Sequence, residues 1–217
     1  MSMPILNPLS KEWGFFFTLF LIHIKPFKYL EVKGCMQHYS DEEILALYRE
    51  ESSRNMALHY LVQKYQQKLY WHIRKIVISH DDTDDVLQNT FIKVWKGLAG
   101  FKEESQLFTW LYRIATNESL TFLKQKARAN TTSIHPIEYQ LSKSLESDNF
   151  FTGDEIQLKL QKAILTLPEK QRIVFNMRYY DEMPYEQMSE VLETSVGALK
   201  ASYHIAAKKI EEFLVTN

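Results

Sequence analysis

Four aspartates fall within five positions, Asp81, Asp82, Asp84 and Asp85. Clustered carboxylates are what a Mg²⁺- or Mn²⁺-dependent nuclease or phosphohydrolase uses to hold its metal. The spacing argues against that chemistry. Neighbouring positions on a helix do not converge on one point, since only i, i+3 and i+4 side chains face together. No second carboxylate or histidine cluster supplies the other half of such a site. Negative charge at a helix N-terminus, which the helix dipole favours, is a sufficient reason for the run. His59, His72 and His80 lack metal-like spacing and read as surface or packing histidines. The single cysteine, Cys35, allows no internal disulfide and no cysteine-based zinc site. No catalytic residue, metal or cofactor is therefore expected.

A second constellation suits binding. Lys102, Arg113, Lys124, Lys126 and Arg128 gather cations within one short stretch, with Trp110, Thr116 and Asn117 among them. Cations hold phosphates, and an aromatic ring beside an amide can stack on and read an unstacked base. A third lies near the C-terminus, where Ser195, Lys200, Ser202, His204 and Lys208 share one segment. The bland alternative for each is a solvated helix face.

Two amphipathic helices must position the first group. One is expected from about Asp82 to Leu98, with Leu87, Phe91, Val94 and Leu98 as its buried stripe, ended by Gly97 and Gly100. Opposite that stripe lie Asp85, Gln88, Asn89, Ile92 and Lys96, with Trp95 at the edge. A solvated face has no use for Ile92, whereas a face that docks on another protein does. The other helix is expected from about Gln106 to Lys126, with Leu107, Leu111, Ile114, Ala115 and Phe122 inward. Its outer side holds Arg113, Thr116, Asn117, Leu120 and Lys124.

Upstream, Tyr39–Ser79 reads as two helices, the first capped by Ser40 with Glu43 closing a capping box. Residues 1–35 differ from the rest. Gly14–Ile24 is strongly apolar but too short to span a bilayer, and no small-residue cleavage site follows it. This segment reads as an over-extended start or a disordered arm, with Met36 as the expected start. Downstream, Ala129–Gly153 is rich in Ser, Thr and Asn and reads as a linker. Then come a helix over Ile156–Leu165, one opened by Pro168 through Tyr179, one over Pro184–Leu192, and a last one capped by Ser195 and reaching Phe213. The final pair forms a helix-turn-helix, whose second helix reads the major groove with its N-terminal part.

The chain has 217 residues, 45% hydrophobic and 24% charged, enough for two small all-α domains. A formal net charge of −1 is unusual for a protein that binds nucleic acid unaided. It suits one that does so inside a larger basic machine. It disfavours an autonomous helix-turn-helix regulator, which is the main rival reading.

The string DDVLQNTFIKVWKGL, followed by FKEESQLFTWLYRIATNESLTFLKQKAR, closely resembles region two of the sigma-70 family, in its extracytoplasmic-function branch. LTLPEKQRIVFNMRYYDEMPYEQMSEVLETSVGALKASYHIAAKKIEEFL resembles region four of the same branch. The resemblance implies region two over 36–128, a linker over 129–153 that threads through the polymerase channels, and region four over 154–217. It implies that Asp85, Gln88, Asn89, Ile92, Trp95 and Lys96 meet core RNA polymerase. It further implies that Lys102, Trp110, Arg113, Thr116, Asn117, Lys124, Lys126 and Arg128 hold the melted −10 strand. Ser195, Lys200, Ser202, His204 and Lys208 would meet the −35 duplex. A cytoplasmic, non-catalytic initiation factor follows, with promoter DNA and a membrane-bound anti-sigma factor as further partners and no membrane insertion of its own. Two departures stand out. Glu193 lies where the family commonly has glycine, and Ala201 and Ser202 replace longer, often basic residues.

Overall fold

The computed structural model describes residues 39–129 and 155–216. Expectations for residues 1–35 and for most of the linker lie outside these. Every regular element among the described residues is helical. In order they are α1 (Asp41–Arg49), a single 3₁₀ turn (Glu51–Ser53), α2 (Arg54–Val77), α3 (His80–Leu98) and α4 (Leu107–Ala129). After the linker come α5 (Glu155–Leu165), α6 (Glu169–Tyr179), α7 (Tyr185–Leu192) and α8 (Val196–Thr216).

α1 begins as its sequence dictates. The Glu43 amide donates to Ser40 Oγ at 3.2 Å, and the Ser40 amide donates to Glu43 Oε2 at 2.6 Å. Asp41 in its first turn accepts from Lys64 Nζ at 2.7 Å and from Tyr65 OH at 2.6 Å, which fastens α1 to α2. Burial, reinforced by the Asp41 carboxylate, pushes the Tyr65 phenol well above its ordinary range, so it stays a neutral donor.

α2 is the spine of the first bundle. Leu61, Leu69, Ile73 and Ile76 are fully buried along it, as are Phe91 of α3 and Leu111 of α4, and the three helices pack against one another. Each such side chain contributes about 1.5–3 kcal/mol of burial free energy. The α2–α3 corner takes only two residues. Ile78 turns it with a positive φ of 68° and ψ of −47°, and the residue is 1% exposed. Ser79 then caps α3, accepting from the Asp82 amide. α3 thus starts at His80, two residues before the expected Asp82, because a serine and not the acidic run provides the cap.

The buried stripe of α3 is Thr83, Val86, Thr90, Phe91, Val94 and Leu98. Val86 takes the position expected of Leu87, which is half-buried. The threonines are admitted because each hydroxyl donates to a carbonyl one turn back, as Thr90 does to Val86 at 2.8 Å. In α4, Leu123 is buried where Phe122 was expected, and Ile114 and Phe122 are only half-buried. Gly97 lies inside the last turn of α3, and neither glycine has a positive φ.

The second half has its own core of Ala163, Ile164, Leu167, Phe175, Ala206 and Ile210, drawn from α5, the turn after it, α6 and α8. Pro168 and Pro184 stand at the N-cap positions of α6 and α7. α7 also packs against α4, and α6 against α2, so residues 39–216 form one compact unit.

Candidate nucleic-acid interface

The C-terminal half of α3 and the middle of α4 enclose an open groove of about 450 Å³, lined by Lys93, Lys96, Gly97, Trp110, Ile114, Asn117 and Glu118. Gly97 has a steric task here. A Cβ at that position would stand 3.2 Å from Trp110 Cζ2, so the absent side chain is the space the indole occupies. Phe101 supports the indole from the loop, with ring centroids 5.1 Å apart. Asn117 is exposed beside it. Lys93 pairs with Glu118 across the groove. An aromatic wall, an exposed amide and the Lys96 ammonium, beside the Lys93–Glu118 pair, suit an unstacked base on a phosphate chain.

The expected strand-binding residues separate. Trp110 and Asn117 meet in the groove. Lys96, expected on the outer face of α3, lines it as well. Lys102, Lys124 and Arg128 are exposed but do not line it, and Arg113 is half-buried. Lys126 is engaged by Asp82, so one of the four clustered aspartates holds α3 to the end of α4. Thr116 needs correction. It is 1% exposed, donates to the Tyr112 carbonyl at 2.7 Å and meets His72 Nε2 at 2.9 Å. A hydroxyl so placed cannot touch a strand without unpacking α4 from α2.

On the outer side of α3, Asp85 and Asn89 are exposed, while Gln88 and Ile92 are half-buried. Trp95 is half-buried too, edge-on to Tyr48 of α1 with centroids 5.8 Å apart. The face is amphipathic and only partly wet.

The helix-turn-helix is α7 and α8. Glu193 bridges them in a left-handed conformation, φ 50 and ψ 41, and Ser195 Oγ accepts from the Ala198 amide at 3.3 Å. Lys200, Ala201, His204 and Lys208 are exposed on α8, and Ser202 is half-buried. Lys200 Nζ lies 5.7 Å from the Tyr185 ring centroid, and the Arg178 guanidinium 5.2 Å from the same ring. Arg178 also donates to the Met183 carbonyl at 3.2 Å, tying α6 to the turn before α7.

Sequence reading missed one cluster entirely. Asp181, in the turn between α6 and α7, accepts from Lys75 and meets His72 Nδ1 at 3.2 Å, both on α2. More than a hundred positions separate these partners, so no local spacing announces them. Burial alone would raise the Asp181 carboxyl; the hydrogen bonds and charges of His72 and Lys75 outweigh it and hold it below the ordinary carboxylate range. The Thr116 proton goes to a carbonyl, so both ring nitrogens of His72 face acceptors.

The family model for sigma-70 region 2 matches residues 61–129, and that for sigma-70 region 4 matches residues 157–210. The chain is 28% identical over 171 residues to the ECF RNA polymerase sigma-E factor of Escherichia coli K12, covering 75% of this chain and 89% of that one. It is 28% identical over 174 residues to the RNA polymerase sigma-H factor of Pseudomonas aeruginosa PAO1, covering 76% and 90%. Two solved structures share the fold. The sigma factor RpoE in complex with the anti-sigma factor NepR from Bartonella quintana aligns with a TM-score of 0.56 at 21% identity, over 72% of this chain and 95% of that one. CnrH in complex with the cytosolic domain of CnrY aligns at 0.59 and 20% identity, over 82% and 99%.

Proposed function

This chain belongs to the sigma-70 family, in its extracytoplasmic-function branch, and from that premise we propose how its residues divide the work of promoter-specific transcription initiation by RNA polymerase. The outer face of α3, with Asp85, Gln88, Asn89, Ile92 and Trp95, docks on core polymerase. The groove between α3 and α4 receives an unstacked base of the −10 strand, with Trp110 as its stacking platform and Asn117 as its reader. Lys93, Lys96, Lys102, Lys124 and Arg128 steady the backbone. The start of α8 enters the major groove at −35, with Lys200 on a phosphate and Ser202 and His204 nearest the base edges. Residues 36–128 and 154–217 act as the two modules.

One observation carries this reading: the two family matches fall one on the bundle that holds the groove and one on the helix-turn-helix. The factor itself performs no catalysis, since the polymerase supplies the metal and the phosphoryl transfer. It works in the cytoplasm, where the polymerase and the promoter are. Among the described residues no helix is long and apolar enough to cross a membrane. One protein of this fold was solved with an anti-sigma factor and another with the cytosolic domain of CnrY. An anti-sigma factor is the expected regulator here too, anchored in the membrane.

Transcription in vitro with bacterial core enzyme tests the reading. Promoter-specific transcripts that need both the chain and the core enzyme are expected. A gel shift by the chain alone, together with no transcription, would instead favour an autonomous regulator.

A further inference from the structure

We infer that Glu118 sets which base the groove between α3 and α4 accepts: one that carries an exocyclic amine, and not thymine. The inference rests on the reading of that groove as the −10 strand site and names what the site selects.

A carboxylate is out of place in a groove that takes a polyanion. The Glu118 side chain is 13% exposed and lines the groove together with Trp110 and Asn117. Trp110, Ile114 and Glu118 recur at i, i+4 and i+8, so they share one face of α4, and Asn117 borders it. Eight residues of helix set the indole and the carboxylate about 12 Å apart along α4. A base laid against the indole has Asn117 and Glu118 within reach of its pairing edge.

The pairing of Glu118 with Lys93 does not account for the carboxylate through the fold. The Lys93 side chain is 58% exposed, and ion pairs this open to water add little or nothing to stability. Backbone binding does not account for it either. A carboxylate repels phosphate, and here it takes one of the groove's two ammonium groups out of use.

What the carboxylate does that its neighbours cannot is accept without donating. Asn117 offers both an amide oxygen and an amide nitrogen, so by turning over it suits a carbonyl edge as well as an amine edge. The Glu118 carboxylate suits the amine alone. Cytosine, adenine and guanine each present an NH₂ group. Thymine presents one ring N–H between two carbonyl oxygens, and those oxygens repel a carboxylate. Glutamate accepting from the cytosine amine is an established side chain–base pairing, and good pairings of this class discriminate by roughly 5- to 150-fold. Lys93 then holds the carboxylate in place across the groove.

Promoter selection from a library randomised across −10 tests the assignment. The full-length wild-type chain with core enzyme should deplete thymine at one position of the −10 strand. Glu118→Gln keeps the shape and adds a donor. It should admit thymine there, changing the thymine-to-cytosine ratio by roughly 10-fold, with an unchanged unfolding midpoint. Lys93→Gln should weaken all sequences alike and leave the preference in place. A second measurement needs no variant. Wild-type holoenzyme should bind a −10 single strand with deoxycytidine at that position roughly 10-fold more tightly than one with deoxyuridine, which differs only at the pairing edge. Equal binding of the two strands overturns the proposal. So does an unaltered −10 preference in a folded Glu118→Gln holoenzyme. A preference lost equally in Lys93→Gln overturns it too, since the pair and not the carboxylate would then be the determinant. A wild-type chain that selects no promoter with core enzyme defeats the sigma-factor reading, and the proposal with it.

Discussion

Thr116 and Asn117 are adjacent and do different things. Thr116→Val removes a buried acceptor from His72 and should cost about 1–3 kcal/mol, read as a lower unfolding midpoint, with no change in −10 sequence preference. Asn117→Ala should leave stability unchanged and slow promoter opening, read by a fluorescent base analogue in the −10 strand. Polymerase binding should be normal in that variant. The distinction was not legible in the sequence. Both residues lie on the helical side opposite the leucines, and only the position of His72 on another helix draws Thr116 inward. Ile92 makes the complementary case. Ile92→Asp should weaken holoenzyme assembly 10-fold or more, on the order of an interface hot spot, while the unfolding midpoint moves little. Native-gel titration with core enzyme reads the first effect and a thermal melt the second.

At the scale of the element, the helices were legible because their signals are local. The capping box at Ser40, the prolines before α6 and α7 and the serine before α8 all act within a few residues, and each is found in place. The start of α3 and the choice of Val86 over Leu87 were not, since both depend on how a two-residue corner aims the helix. The turn of the helix-turn-helix carries its own prediction. Glu193 holds a left-handed conformation that costs an L-residue about 1–2 kcal/mol. Glu193→Gly removes that strain at some cost in chain entropy. It should stabilise the protein by up to about 1 kcal/mol, seen as a rise of a few degrees in the unfolding midpoint. Lys200 Nζ lies beside the Tyr185 ring of α7, and a phosphate contact is expected of it. Lys200→Ala should weaken −35 binding of the holoenzyme equally for all sequences and reduce the salt slope by about one.

At the scale of the molecule, sequence pattern revealed two helical halves and nothing of how they meet. The residues that join them are single charges and amides scattered over α2, α6 and the turn after it, with no periodicity to give them away. Their electrostatics set a pH response. The Asp181 carboxyl titrates below its ordinary range in the folded chain. A depressed carboxylate contributes stability that is present above its unfolded value, about 3.9, and is lost as pH falls through the folded value. The contact between the halves should therefore hold at neutral and mildly acid pH and loosen only below about pH 4. Energy transfer between the two halves, followed across an acid titration, checks this. Loosening already at pH 6 would assign the contact to other groups.

The tryptophans give the chain a means of reporting on itself. Trp71 borders the cleft between the halves, and Trp110 forms one wall of the groove. Trp95 packs away from both, against Tyr48. With Trp13 and Trp95 replaced by phenylalanine, removal of either remaining indole leaves a single emitter whose colour and quenching follow one event. Trp71 would register separation of the halves and Trp110 the arrival of a base. The order of these two events on the way to an open promoter becomes measurable by stopped-flow emission, with no dye attached to protein or DNA.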